Sequence, residues 1–249
     1  MEYNHGVRIT KHLYEMSPIE KALAALESKA KTYYSKPAPA PKDETPEEKL
    51  TREAKRKEES DEALAYLAQE RVKALNIISV QATLEVYRNE YRVSSSAKRP
   101  ERKALRREMK KEKHHPTDKL ARYMRADGRP QPSNRHTAHH IVQGKGKTEN
   151  ADKARVQLHF YNVRINDPDN GVWMPRHKAD KGHWSMPNAA AHSQIHTHNY
   201  ETWVNTAVQG VSGEEMLRAR LRHMRTLLRD GKQPTQVTQK PDSSWDGNA

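Results

Sequence analysis

From Glu47 to Tyr91 the chain contains neither glycine nor proline, and so long a run without a breaker favours helix throughout. Thr45-Pro46-Glu47-Glu48 opens the run with a capping hydroxyl, a proline suited to the first helical position and an acid three residues on. One long helix, or two in tandem, is predicted. Lys49 to Asp61 is nearly all charged, with Glu and Lys/Arg at supporting spacings. Beyond it, Leu64, Leu67, Val72, Leu75, Ile78, Leu84 and Tyr91 supply an apolar stripe. Such a stripe reads as the buried face of a helical hairpin packed on itself or on a partner; a delivery or dimerisation arm is the alternative.

Ser17-Pro18-Ile19-Glu20 carries the same start signal. Ile19, Leu23, Leu26 and Ala30 then share one helical face. This helix is expected to stop before Ser35-Lys36-Pro37-Ala38-Pro39-Ala40-Pro41, where alternating prolines favour an extended linker. Near the other end, Ser212-Gly213-Glu214-Glu215 opens a helix with Leu217, Leu221, Met224 and Leu228 on one stripe, closed by Gly231 and Pro234. Residues 232–249 read as a polar tail.

Composition narrows the function. The 249 residues include 45 Lys and Arg against 32 Asp and Glu, a formal charge of +13, with 14 histidines and no cysteine. Disulfide scaffolds, thiolate zinc sites and cysteine nucleophiles are therefore excluded. No apolar run approaches the ~18 residues of a membrane span. Met1 to Met16 is interrupted by Glu2, His5, Arg8, Lys11, His12 and Glu15, so no signal-peptide core is expected. Leu, Ile, Val and Phe make up only roughly 14% of the chain, which argues against one large core. The charge points to an anionic partner, nucleic acid before membrane. It is concentrated between Lys98 and Arg135, where 14 Lys and Arg face 5 Asp and Glu. A solvated linker helix and a phosphate-contacting surface both fit that segment.

The histidines cluster downstream: His136, His139, His140, His159, His177, His183, His192, His196 and His198. Imidazole can be neutral near pH 7, accept a proton and bind a metal. Ala138-His139-His140-Ile141-Val142 reads as a strand end. Adjacent residues of a regular strand point to opposite faces, so the pair shares one site only at a strand end or bulge. Asp169-Asn170-Gly171 before Val172-Trp173-Met174-Pro175 predicts a hairpin turn with positive φ, whose side-chain amide can bond across the loop. His192-Ser193-Gln194-Ile195-His196, led in by Asn188-Ala189-Ala190-Ala191, predicts a helix presenting two imidazoles on one face. A surface or core histidine pair explains that spacing equally well.

In their order and spacing these motifs resemble the AHH group of the HNH, or His-Me finger, endonucleases, common as toxin domains of bacterial conflict systems. The matching residues are Ala138-His139-His140-Ile141-Val142, the Arg155/Leu158 segment, Asn170 to Pro175, and His192-Ser193 with His196 and Tyr200; Gly128-Arg129-Pro130 also fits. The resemblance spans about Pro116 to Val208. It implies that His140 is the general base and that His139, His192 and His196 hold one divalent metal ion, Mg or Zn, with Ni or Mn as alternatives. It implies further that Asn170 organises the hairpin and orients the base, and that Arg155, Lys145, Lys147 and Tyr200 contact substrate. His177, His183 and His198 are rivals for the third ligand. A helix from about Ala151 to His159 elaborates the loop between the motifs.

The expected fold class is α+β and predominantly helical. A charged helical region over residues 1–115, with a Pro-rich linker at 35–46, precedes an elaborated ββα-metal nuclease domain over 116–231 and the tail. The expected activity is a nonspecific DNase acting as a toxin or effector, neutralised by a cognate and acidic immunity protein. An RNase of the same fold, or a non-catalytic basic nucleic-acid-binding scaffold, is the alternative. The N-terminal helices are expected to meet a secretion-system component. Export is expected without a cleavable signal peptide, with action in the target-cell cytoplasm and a cytoplasmic location in the producer.

Overall fold

The computed structural model describes residues 3–4, 7–8, 16–34, 43–92 and 97–248. The expected Pro-rich linker falls outside these residues over 35–42. The chain divides into two compact units, Met1–Ala82 and Thr83–Ala249.

The first unit holds a minimal antiparallel pair, β1 (Tyr3–Asn4) with β2 (Val7–Arg8), then α1 (Pro18–Tyr34) and most of α2 (Pro46–Asn89). Both helix starts follow the sequence. The Ser17 amide donates to Glu20 Oε2 at 2.7 Å, and Ser17 Oγ accepts from the Glu20 amide at 3.2 Å. At α2, the Thr45 amide and hydroxyl both donate to Glu48 Oε2 at 2.8 Å. The stripe expected to be buried along α2 is covered in part: Leu84 is buried and Leu67, Ile78 and Tyr91 are half-buried, but Leu64, Val72 and Leu75 are exposed, and Ala63, Ala74 and Tyr87 are buried outside it. Large side chains alone did not mark the covered face, because two of its positions are alanines that allow close approach.

The second unit begins at Thr83, well before the boundary expected near residue 116. It contains the end of α2, α3 (Arg99–Lys111), α4 (Asp118–Ala126), β3 (His136–His140), α5 (Glu149–Phe160), β4 (Gly171–Pro175), α6 (His198–Val208) and α7 (Glu214–Asp230). Polar contacts explain the earlier start. Arg88 of α2 donates twice to the fully buried Asp167, at 2.8 and 3.0 Å, and Arg218 of α7 donates to both Asp167 and Asp169, at 3.1 and 3.0 Å. Burial pushes the Asp167 carboxyl up, but the two guanidinium groups hold it below the usual aspartate range.

β3 and β4 are antiparallel, with His139 opposite Val172 and His140 opposite Gly171. Both faces of this ribbon are covered. Val172 and Met174 join Leu158, Tyr200, Trp203, Val204 and the α7 residues Leu217, Leu221, Met224 and Leu228. Ala138 and Trp173 pack on the other side with Leu120, Met124, Met186 and Ala189. A Cβ at Gly171 would lie 2.6 Å from Met124 Sδ, so α4 approaches the strand only because that position is glycine.

Asn170-Gly171 is not a hairpin turn. Pro168–Asn170 is a single 3-10 turn, Gly171 is extended with φ −122°, and α5 lies in the connection between the strands. Positive φ is found at Gly231, which closes α7 as expected. Residues 235–248 lie against α6 rather than trailing away. Val237 is fully buried, Asn199 Nδ2 donates to the carbonyls of Gln236 and Lys240, and Thr206 Oγ1 donates to that of Asp246. Among the described residues no helix is long and apolar enough to cross a membrane.

Candidate metal centre

His139 is the penultimate residue of β3 and shares the ribbon face of Val172, towards α6. There its ring meets two others, with centroids 4.9 Å from His192 and 5.3 Å from His196. His192 and His196 approach each other at 2.8 Å between their Nε2 atoms. One candidate ligand atom from each of the three lies within 4.8 Å of the others, and among the described residues this is the one such group.

The pair is not on a helix. His192–Gln194 is a 3-10 turn, and α6 starts only at His198 because Thr197 caps it, accepting from the Tyr200 amide at 3.0 Å. The turn nevertheless brings the two rings together as one helical turn would have done. His177, His183 and His198 lie outside the group. His183 instead packs edge-on against His136 at 4.8 Å and bonds Ser185.

The electrostatics suit a cation. Burial pushes His139 well below its ordinary value, and the neighbouring His192 and His196 add to this. Burial likewise lowers His192 to about 4 and lowers His196. All three are neutral at pH 7, the form that binds a metal. Tyr200, fully buried, donates its hydroxyl proton to the Ile141 carbonyl at 2.8 Å, so its lone pair takes Nε2–H of His139 at 2.9 Å. That leaves His139 Nδ1 as the nitrogen with a free lone pair. Gln143 reaches Nδ1 of His196 at 3.2 Å. The atom presented there is the Gln143 amide nitrogen, which donates to a lone pair at Nδ1, while Nε2 of His196 faces Nε2 of His192. A three-imidazole donor set without carboxylate fits zinc or nickel by softness and leaves coordination positions for water and phosphate.

His140 points the other way, towards the start of α4, yet both histidines line one cleft with His114, His115, Thr117, Gly144 and Lys145. The strand end allows this, since no further residue separates the two faces. Burial lowers the His140 imidazole to about 4, against its hydrogen bond to Asn166 Oδ1, which acts to raise it. His114 packs against Gly144, where a Cβ would lie 2.2 Å from its ring.

Asn170 is fully buried and does not touch His140. Its Oδ1 accepts from the Val142 amide at 2.8 Å, and its Nδ2 donates to the carbonyls of Val142 and Ile165 at 3.1 and 2.9 Å. It therefore pins the backbone beyond His140 across the loop. The group that touches His140 is Asn166, whose Oδ1 lies 3.0 Å from His140 Nε2. Sequence reasoning missed it, and it also missed Glu112, which binds Asn166 in turn.

The expected substrate contacts divide. Arg155 is buried, with its guanidinium donating to the carbonyls of Gly144, Lys110 and Glu112 and to His159. So placed, it braces the cleft from behind and does not face a substrate. Tyr200 is likewise interior. Lys145 and Lys147 are exposed, on a loop tethered where Glu201 accepts from the Lys147 and Thr148 amides, both at 2.7 Å. Arg176, Lys178 and Lys181 are exposed on the loop after β4, beside Trp184, which is 87% exposed. Within the basic segment, Arg129 is structural, holding the Gly171 and Pro168 carbonyls.

The buried strand pair pinned by Asn170, and the histidine pair at its end beside His192 and His196, lie within a stretch that matches a family of the HNH/ENDO VII nuclease superfamily. Residues 120–227 match AHH, a nuclease family of that superfamily with conserved AHH, and the tripeptide here is Ala138-His139-His140. The chain thus carries an AHH nuclease domain over those residues. Comparison with curated proteins and with solved structures finds no match.

Proposed function

We propose that this protein is a metal-dependent, sequence-nonspecific endonuclease acting on DNA, and an effector restrained in its producer by an acidic immunity protein. The observation that carries the catalytic part is the convergence of His139, His192 and His196 on one point beside His140. The three imidazoles hold one divalent cation. When bound, it supplies charge to the scissile phosphate and to the departing 3′ oxygen. His140, neutral at pH 7, takes a proton from the water whose oxygen attacks phosphorus, while the P–O3′ bond breaks. Asn170 and Arg155 act at one remove, keeping the loop beyond His140 and the cleft wall in place. Lys145 and Lys147 meet backbone phosphates, and Trp184 offers a face on which a base can stack.

The +13 charge supports an acidic inhibitor, because complementary charge speeds association with a protein that must be stopped quickly. Action in a target-cell cytoplasm belongs to the same proposal, as does engagement of a secretion component by the N-terminal helices. The test is plasmid cleavage with Mg, Mn, Zn or Ni added, against His140→Ala and a chelated control. Nicking and linearisation by wild type alone is the expected result. Intact plasmid with degraded tRNA moves the substrate to RNA. Salt-sensitive DNA binding without cleavage, unchanged in His140→Ala, means a binding scaffold instead.

A further inference from the structure

The hydrogen bond between His140 and Asn166 determines which nitrogen of the proposed base is free. Asn166 Nδ2 donates both its protons, one to Glu112 Oε1 and one to the Lys113 carbonyl, each at 3.0 Å. Both partners only accept, so the amide cannot turn over. Its Oδ1 must face His140, and the nitrogen opposite it, Nε2, must carry the proton. A lone pair at Nε2 would oppose the lone pairs of Oδ1. His140 Nδ1 has no protein partner among the described residues and is not one of the buried unpaired atoms, so it opens to the cleft.

Glu112 is itself fixed. Its Oε2 accepts from the Tyr87 hydroxyl at 3.0 Å and from Arg164 Nε at 2.9 Å, and its Oε1 accepts from Lys119 Nζ at 3.3 Å. Burial acts to raise the Glu112 carboxyl, but Asn166, Arg164 and Tyr87 hold it below the usual glutamate range, so it stays an acceptor at neutral pH. Asn166 is fully buried, and its Nδ2 protons and Oδ1 all have defined partners. Tyr87 and Glu112 both precede residue 120, where the match to the nuclease family begins.

We propose that Asn166, oriented by Glu112 and the Lys113 carbonyl, is the positioning residue of His140, holding its proton on Nε2 so that Nδ1 receives the proton of the attacking water. This rests on the nuclease reading for its chemistry, while the tautomer itself can be read without any turnover. The measurement is a long-range proton–nitrogen correlation spectrum of the 15N-histidine-labelled full chain in chelator at pH 7.5, with the His140 signals assigned by their loss in His140→Ala. The expected pattern for His140 is a protonated Nε2 and an unprotonated Nδ1. In Asn166→Ala that pattern gives way to a tautomer mixture, kcat on plasmid falls at least about tenfold and KM stays within about twofold. Asn166→Asp, whose second oxygen would face the acceptors Glu112 Oε1 and the Lys113 carbonyl, loses the orientation and does not recover the rate. A protonated Nδ1 on His140 in wild type overturns the proposal even if no variant folds, and so does an Asn166→Ala protein with unchanged tautomer and kcat. A wild type that shows the expected tautomer and cuts no nucleic acid overturns the nuclease reading instead.

Discussion

Tyr200 and His139 meet at 2.9 Å, Oη to Nε2, in the fully buried interior between α6 and the end of β3. The tyrosine proton goes to the Ile141 carbonyl, so the contact presents an acceptor to the imidazole and leaves Nδ1 as the nitrogen with the free lone pair. A ligand whose remote N–H is bonded is fixed in tautomer and orientation. Tyr200→Phe keeps the ring in its core and removes that acceptor. Divalent-cation affinity, by calorimetric titration, is expected to fall about 10- to 100-fold with little change in the far-ultraviolet spectrum. Equal affinity would mean that His139 is oriented by packing alone.

Acid should unfold the metal-free protein through its histidines. His140, His159 and His192 are each lowered by burial to about 4, and His139 lies well below its ordinary value. Between about 6.5 and 4 the unfolded chain binds protons that the folded one refuses, so stability rises with pH across that window. The contribution is fully present above about pH 6.5 and is lost as pH falls towards 4. Melting temperature in chelator should be flat from pH 8 to 7 and decline steadily below 6.5. A flat profile down to pH 4.5 would contradict buried neutral imidazoles.

The Asp167 cluster carries a stability prediction. Asp167 is fully buried and accepts from Arg88 and Arg218. Removing one member of a buried pair leaves its partner's charge uncompensated, at a cost of about 3–5 kcal/mol. Arg218→Met should therefore lower the urea midpoint of the second unit markedly, whereas Arg220→Met, on the same helix and exposed, should leave it unchanged. Equal midpoints for the two variants would show that solvent reaches the cluster.

Trp184 is exposed on a loop with Arg176, Lys178 and Lys181. Stacking of one base on an aromatic side chain is worth about 1–3 kcal/mol, so Trp184→Ala should weaken anisotropy-measured binding of a single-stranded oligonucleotide by roughly 5- to 100-fold. Fold and metal affinity should not change. Loss of binding only at Lys145 and Lys147 substitutions would confine the contact to phosphates.

The sequence was most legible where structure is decided locally. Ser17 with Glu20, Thr45 with Glu48, and the left-handed Gly231 each act within one turn of the backbone, and α1, α2 and α7 begin or end where those residues stand. The identities in the three-histidine group were also legible, although the supporting element was not: Thr197 starts α6 only after His196. Asn166 was hidden because its partners His140 and Glu112 lie 26 and 54 positions away, a pairing that no periodicity encodes. Arg155 was a substrate contact only by the family resemblance. Only the folded chain shows three carbonyls converging on it.

Glu112 and Tyr87 come before the family-matched stretch and still reach the proposed base through Asn166. The portable unit is therefore larger than the motif that advertises it. A recombination joining a new N-terminal arm at residue 116 would carry over every histidine of the metal group and leave behind the carboxylate that keeps Asn166 from turning. A junction at Thr83 or earlier, within α2, would keep Tyr87, Arg88 and Glu112 with the side chains they hold.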